Sequence, residues 1–180
     1  MLKRLYATRI VALILLATSI CAVEDVALPT PQAFYKTAMA DGGLRTHTGE
    51  VFCWCAAWSA PDFLHAYEAT GKKDPAWLEQ AQIFYDWCIQ KVVSDDPDGY
   101  PGTIGDDVIF NEPNIVCDTL VGDALMAQSI LHWAELVQAD PALQARFGAR
   151  AKEYIALATR MCWEKWNKRN CYYQDAHGYG

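Results

Sequence analysis

From Asn114 to Ala139 the chain reads NIVCDTLVGDALMAQSILHWAELVQA. Its apolar residues Val116, Leu120, Ala124, Ala127, Leu131, Ala134 and Val137 recur at steps of three and four, the spacing of one face of an α-helix. Val121, Leu125, Ile130 and Leu136 carry apolar character onto the other sides, so this helix is expected to pack against several neighbours. Asp118 and Asp123 fall in its first half, where a helix N-terminus favours negative charge. Other stretches show the same period. Pro31 to Ala40 predicts a short helix, and Val51 to Thr70 a longer one that Ser59-Ala60-Pro61-Asp62 kinks or restarts. Trp77, Ala81, Phe84, Tyr85, Cys88 and Val92 mark the buried face of a helix running to about Val93. Asp74 is placed as its cap, with Pro75 at the first helical position. The Asp-Pro-Ala start returns at Asp140, and Leu143, Phe147, Tyr154, Ala158 and Cys162 carry a last helix to about Trp166. No strand run competes with these helices; Asp107 to Phe110 is at most a short β excursion.

Between the helices lie two kinds of connector. Residues 41–50, 94–113 and 167–180 are long, polar and rich in Gly, Pro, Asp or Tyr, whereas the Asp-Pro corners are short. Long loop, helix, short corner, helix occurs over 41–93 and again over 94–166, and a third long loop opens at Asn167. A repeated supersecondary unit predicts stacked helical hairpins. In such an array equivalent connectors emerge on one side, so the long loops should share a rim opposite the Asp-Pro corners.

The stretch GEVFCWCAAWSAPDFLHAYEATGKKDPAWLEQAQIFYDWCI, the following DGYPG loop and the helix DPALQARFGARAKEYI together resemble a repeat unit of the (α/α) toroid carbohydrate-active enzymes. That superfamily holds six-hairpin glycoside hydrolases and several polysaccharide lyases. The resemblance covers most of residues 48–166 and is structural rather than catalytic. It implies an all-α fold of (α/α) toroid type, an incomplete toroid of two to three hairpins where closed members use about six. With its end at Gly178-Tyr179-Gly180, the sequence reads as a partial chain.

Composition changes this picture in three respects. Of 180 residues, 52% are hydrophobic and 21% charged, which suits one globular core. The net charge of −7 argues against nucleic acid, whose phosphates call for basic patches. Lys3, Arg4 and Arg9 precede an apolar run from Ile10 to Ile20 and the small-residue exit Cys21-Ala22, the pattern of a signal peptide. The run is too short to span a bilayer comfortably, so a secreted or periplasmic chain without a membrane span in its mature form is expected. The organisation is then signal peptide over 1–22, leader and short helix over 23–40, and helical-hairpin domain over 41–180. Cleavage leaves Cys53, Cys55, Cys88, Cys117, Cys162 and Cys171. All but Cys171 lie in apolar helical stretches, where free Cys behaves as a small hydrophobe; their even number also allows disulfides. No spacing suggests zinc, and no cofactor motif is present.

The rim gathers the residue types that glycan chemistry uses. Hydrolysis needs a carboxylic acid to protonate the leaving oxygen and a second carboxylate to handle water or sugar; Asp106, Asp107, Glu112 and Asp118 are the candidates. Elimination from a uronic acid polymer needs a base such as Tyr or His and a cation to neutralise the carboxylate; His47, Tyr173 and His177 are candidates there, with Arg45 as the cation. Trp54, Tyr100, Tyr179, Asn114 and Asp118 complete the expected sugar-binding set, the aromatics by stacking. The plainer readings are a solvated turn at Asp106-Asp107, a helix cap at Glu112, surface histidines at His47 and His177, and packing for the tyrosine-rich tail. His65 and His132 read as structural. The expected partner is an oligo- or polysaccharide, acidic ones included. The alternatives are a noncatalytic helical-repeat module that binds glycan or protein, and an inactive truncated fragment.

Overall fold

The computed structural model describes residues 27–106, 116–171, 174–175 and 178–179, with side chains through 105 and from 118 to 171. The described chain is mostly helical with little strand. Thr30 caps α1 (Pro31–Met39) by accepting from the Ala33 amide at 3.2 Å. A short α2 (Gly42–Thr46) leads into α3 (Gly49–Ala69), which the Thr70–Asp74 corner joins to α4 (Ala76–Val92). Three short strands follow, β1 (Val93–Asp95), β2 (Pro101–Thr103) and β3 (Gly105–Asp106), then β4 (Val116–Cys117). Next come α5 (Leu120–Gln138), α6 (Pro141–Ala158), a π-helical turn Thr159–Glu164 and α7 (Lys165–Lys168). The chain closes on a ribbon of β5 (Gln174–Asp175) with β6 (Gly178–Tyr179).

The helices form two hairpins side by side. Phe52 meets Trp87, and Phe63 meets Phe84, so α3 and α4 run antiparallel; α5 and α6 repeat the arrangement, with Trp133 against Phe147 and Tyr154. Contacts between α3 and α5 make one layer. Side chains bridge α4 and α6 in the other: Arg146 pairs with Glu79, and Asp86 accepts from Arg150 and Tyr154. Large aromatics fill the space between, including Trp77, Tyr85, Trp133 and Tyr154, each at most 2% exposed. Burial on this scale is the main stabilising term, about 1.5–3 kcal/mol for each large apolar side chain. Two buried polar handles find partners: the Tyr85 hydroxyl donates to the Ala60 carbonyl at 2.7 Å, and the Trp133 indole to the Leu78 carbonyl at 2.9 Å.

Several expectations are corrected. The central helix begins at Leu120, not Asn114, with the Thr119 hydroxyl accepting from the Gly122 amide at 3.1 Å. Asp118 and Cys117 therefore precede it, Cys117 in a strand. Pro61 neither breaks nor restarts α3. Helix α4 starts one residue after Pro75, with Asp74 accepting from the Ala76 amide at 3.1 Å. Residues 41–50 are not a plain loop, because they hold α2 and the start of α3. The last helix does not run regularly to Trp166; it passes through the π turn and ends at Lys168. Asp140 caps α6 as read, accepting from the Ala142 amide at 2.7 Å with Pro141 first in the helix. Among the described residues no helix is long and apolar enough to cross a membrane.

Candidate functional site

The N-terminal ends of α3 and α5, the C-terminal ends of α4 and α6, and the strands between the hairpins meet at one end of the molecule. Glycine makes the closest approach possible. Gly49, at φ +55°, lies so near Gly105 that a Cβ on Gly105 would sit 2.2 Å from the Gly49 nitrogen. Backbone therefore packs on backbone where α3 meets β3, and neither position has room for a side chain. The Asp-Pro corners lie at the opposite ends of the hairpins.

A buried charge cluster fastens this end. Lys165, wholly buried, donates to the two Asp118 oxygens at 2.7 and 3.0 Å and pairs with Asp123 at 2.5 Å. Asp123, also wholly buried, accepts from the Thr103 amide at 2.9 Å and the Trp166 indole at 2.8 Å. Arg169, one turn beyond Lys165, pairs with Asp96, with Asp98 at 2.8 Å and with Asp118 at 2.6 Å. Gly102 leaves the space for this: a Cβ there would lie 2.5 Å from both Asp118 Oδ1 and Lys165 Nζ. A buried charge is costly unless paired and hydrogen-bonded, and here both ends of the 96–118 segment supply partners to one turn of helix.

Burial would raise the Asp118 carboxyl, but hydrogen bonds from Lys165 and Arg169 outweigh it and hold the group below the usual carboxylate range. For Asp123 burial wins, and its carboxyl is raised despite Lys165, the Thr103 amide and the Trp166 indole. Burial also pushes the Cys53 thiol up to about 12, against a hydrogen bond with Thr103, and Cys162 to about 12. These thiols are neutral and unreactive near pH 7. Cys53, Cys55, Cys88 and Cys171 form no disulfide.

The sequence-derived candidates fall into three groups. Glu112, Asp107, Asn114, Tyr173 and His177 lie outside the described residues, and Asp106 and Tyr179 are described only as backbone in β3 and β6. At the rim, His47 is half-buried at the junction of α2 and α3, its amide donating to the Gly43 carbonyl at 3.1 Å. Tyr100 is half-buried under the Lys168 ammonium, 5.0 Å from its ring centre. Arg45 is exposed and donates to the Met39 carbonyl at 3.3 Å, at the end of α1. Asp118 has both oxygens in ion pairs, which gives it the task of holding the 96–118 segment.

The third group lies on the free face of the α3–α5 layer. Trp54 is 48% exposed and Trp58 80%, one helical turn apart on α3. The Trp54 indole donates to Glu50 at 3.1 Å, which fixes its ring direction. Val121 and Leu131 expose apolar surface on α5, and Glu68 reaches across to His132 at 4.0 Å. A separate cleft of about 350 Å³ lies between the leader at Leu28 and the far half of α3, with Phe34, His65 and Trp77 in its wall.

Sequence reasoning missed Lys165, Arg169, Asp96, Asp98 and Thr103, and read Asp123 only as a helix-end charge. A signal existed. Ala151, Tyr154, Ala158, Met161 and Lys165 continue one buried stripe at steps of three and four, and a cation on an apolar stripe calls for a buried anion. Among the described residues no group of three or more His, Cys, Asp or Glu side chains is arranged to hold a metal ion. Comparison with protein-family models, with curated proteins and with solved structures found no match for this chain.

Proposed function

We propose that this is an exported carbohydrate-active protein of (α/α) toroid type, a glycoside hydrolase or polysaccharide lyase. Its glycan runs along the free face of the α3–α5 layer toward the acidic rim. In such a ring α3 and α5 are inner helices, and Trp54 and Trp58 stack on sugar rings. The rim then brings Asp106, Asp107 and Glu112, or His47, Tyr173 and His177, to the scissile bond. One observation carries the reading: two tryptophans stand exposed a turn apart on the helix whose first residue packs against the acidic loop. Rings left in water contribute little to folding, whereas a sugar face covers them.

A noncatalytic glycan-binding module is the second reading. It is favoured by the ion pairs that occupy Asp96, Asp98 and Asp118, so none of these three is free to act as an acid. Two substitutions separate the readings. Trp58→Ala is expected to weaken oligosaccharide binding about tenfold, roughly 1.4 kcal/mol, in a calorimetric titration. Glu112→Gln is expected to abolish turnover while leaving that affinity within about twofold. Unchanged affinity in both Trp54→Ala and Trp58→Ala removes the glycan surface from this face. Binding without turnover in the unsubstituted chain selects the module.

A further inference from the structure

The charge carried by the two helices beneath the exposed tryptophans deepens the reading of this face as a glycan surface, on which it rests, and selects a class of glycan. Helix α3 reads GEVFCWCAAWSAPDFLHAYEA and α5 reads LVGDALMAQSILHWAELVQ. Together they hold Glu50, Asp62, Glu68, Asp123 and Glu135, and neither Lys nor Arg. The cations sit in the other layer, Lys91 on α4 and Arg146, Arg150 and Lys152 on α6. Asp123 is buried against Lys165, and Glu68 lies 3.9 Å from Lys72 and 4.0 Å from His132. Glu50, Asp62 and Glu135 have no Lys or Arg partner among the described residues.

On α3 these free acids flank the rings. Glu50, Trp54, Trp58 and Asp62 follow one another at steps of four, so one stripe of the helix bears a carboxylate at each end and two exposed indoles between. The helical rise puts the two acids about 18 Å apart along the axis. Glu50 accepts from the Trp54 indole through one oxygen, and its second oxygen accepts from no described donor. Asp62 is 54% exposed and faces only His65, at 3.4 Å. Beyond it the stripe meets the cleft of about 350 Å³, which Asp62 and His65 border.

An indole face attracts a cation through its ring quadrupole. A carboxylate one turn away adds Coulombic attraction, and no lysine or arginine of the layer opposes it. A neutral glycan uses the rings alone, and a polyuronate meets like charge. A sugar chain that carries protonated amines uses both features. We infer that the ligand of this face is a cationic glycan, an oligomer of amino sugars whose ammonium groups pair with Glu50 and Asp62 while its rings lie on Trp54 and Trp58.

The test titrates the full chain by calorimetry with glucosamine oligomers in their protonated form. The comparators, equal in length, are the N-acetylated oligomers, cello-oligosaccharides, oligogalacturonate and oligolysine. The amine oligomer is expected to bind at least about tenfold more tightly than either neutral oligosaccharide at low salt, with a gap that narrows as salt is added. Asp62→Asn and Glu50→Gln should each weaken the amine oligomer about threefold and leave the neutral ones within about twofold; glutamine keeps an acceptor for the Trp54 indole. Trp58→Ala should weaken amine and neutral oligosaccharides alike. A neutral or acidic oligosaccharide that binds as tightly as the amine form, or an amine oligomer indifferent to both carboxylate substitutions, overturns the inference. If Trp58→Ala weakens that binding, the glycan surface itself survives. Oligolysine bound as tightly as the amino sugar and unaffected by Trp58→Ala would mean attraction by charge alone, and overturns the inference too. Binding of no oligosaccharide overturns both.

Discussion

Lys165 is a charge in a position the helix reserves for apolar side chains, and its three short contacts to Asp118 and Asp123 are what make that tolerable. Lys165→Met keeps the volume and removes the cation, leaving two carboxylates facing each other in a dry site. Loss of about 3–5 kcal/mol in urea unfolding is expected; a loss below about 1 kcal/mol would mean that water reaches the cluster. The same register was readable in advance. Asp123, Met126, Ile130, Trp133 and Val137 form the buried stripe of α5 just as Met161 and Lys165 extend that of α6. Two opposite charges on two buried stripes imply each other, but spacing alone gives no distance between helices. A second expectation concerns thiols. Burial raises Cys53 and Cys88, whereas Cys171 is exposed. Peptide mapping after maleimide treatment of the native chain should find Cys171 modified, and Cys53 and Cys88 modified only after denaturation.

At the scale of elements, the helices were legible because their apolar spacing is local, and their ends were less so. Val116 fits the period of α5, yet it pairs with Asp106 across a short antiparallel ribbon, and the helix waits for the Thr119 cap. A pairing partner ten residues away competes with periodicity, and nothing in a window of one helix records that competition. The contact of α3 with β3 is similarly invisible, being two glycines separated by 56 residues of sequence. Its strength is testable. Gly105→Ala forces the strand off the helix and should cost about 1–3 kcal/mol, read by chemical denaturation. Gly42→Ala, where a Cβ meets nothing within 4 Å, serves as the control and should stay within about 0.5 kcal/mol.

For the whole molecule, the alternation of long and short connectors foretold two hairpins with a polar end, and the structure has them. The sequence could not say that Asp96, Asp98, Asp118 and Asp123 serve as counter-ions, because partnership depends on helices brought together only by folding. That division also sets the acid response. Folded Asp118 releases its proton more readily than the unfolded chain does, so its stabilisation is complete above the ordinary value of 3.8 and drains away as pH falls below it. Asp98, lowered by its hydrogen bond from Arg169, adds in the same sense. Asp123 is raised and works in the opposite direction, the folded chain taking up that proton first and offsetting part of the loss. Urea midpoints at about pH 7 and pH 3 should therefore fall less for Asp118→Asn than for the unsubstituted chain, although the variant starts lower. An equal fall would show that Asp118 is not the group responsible.

Arg169 grips Asp96 and Asp118, the two feet of one excursion of the chain. Closing a loop costs entropy that grows only slowly with its length, and here a guanidinium on another helix meets that cost at the base. What stands between the feet is thereby anchored twice over, at its base by the guanidinium and partway along by Gly102, Thr103 and Gly105 against the helices, so a change of wording at those three positions is felt by the hairpins beneath.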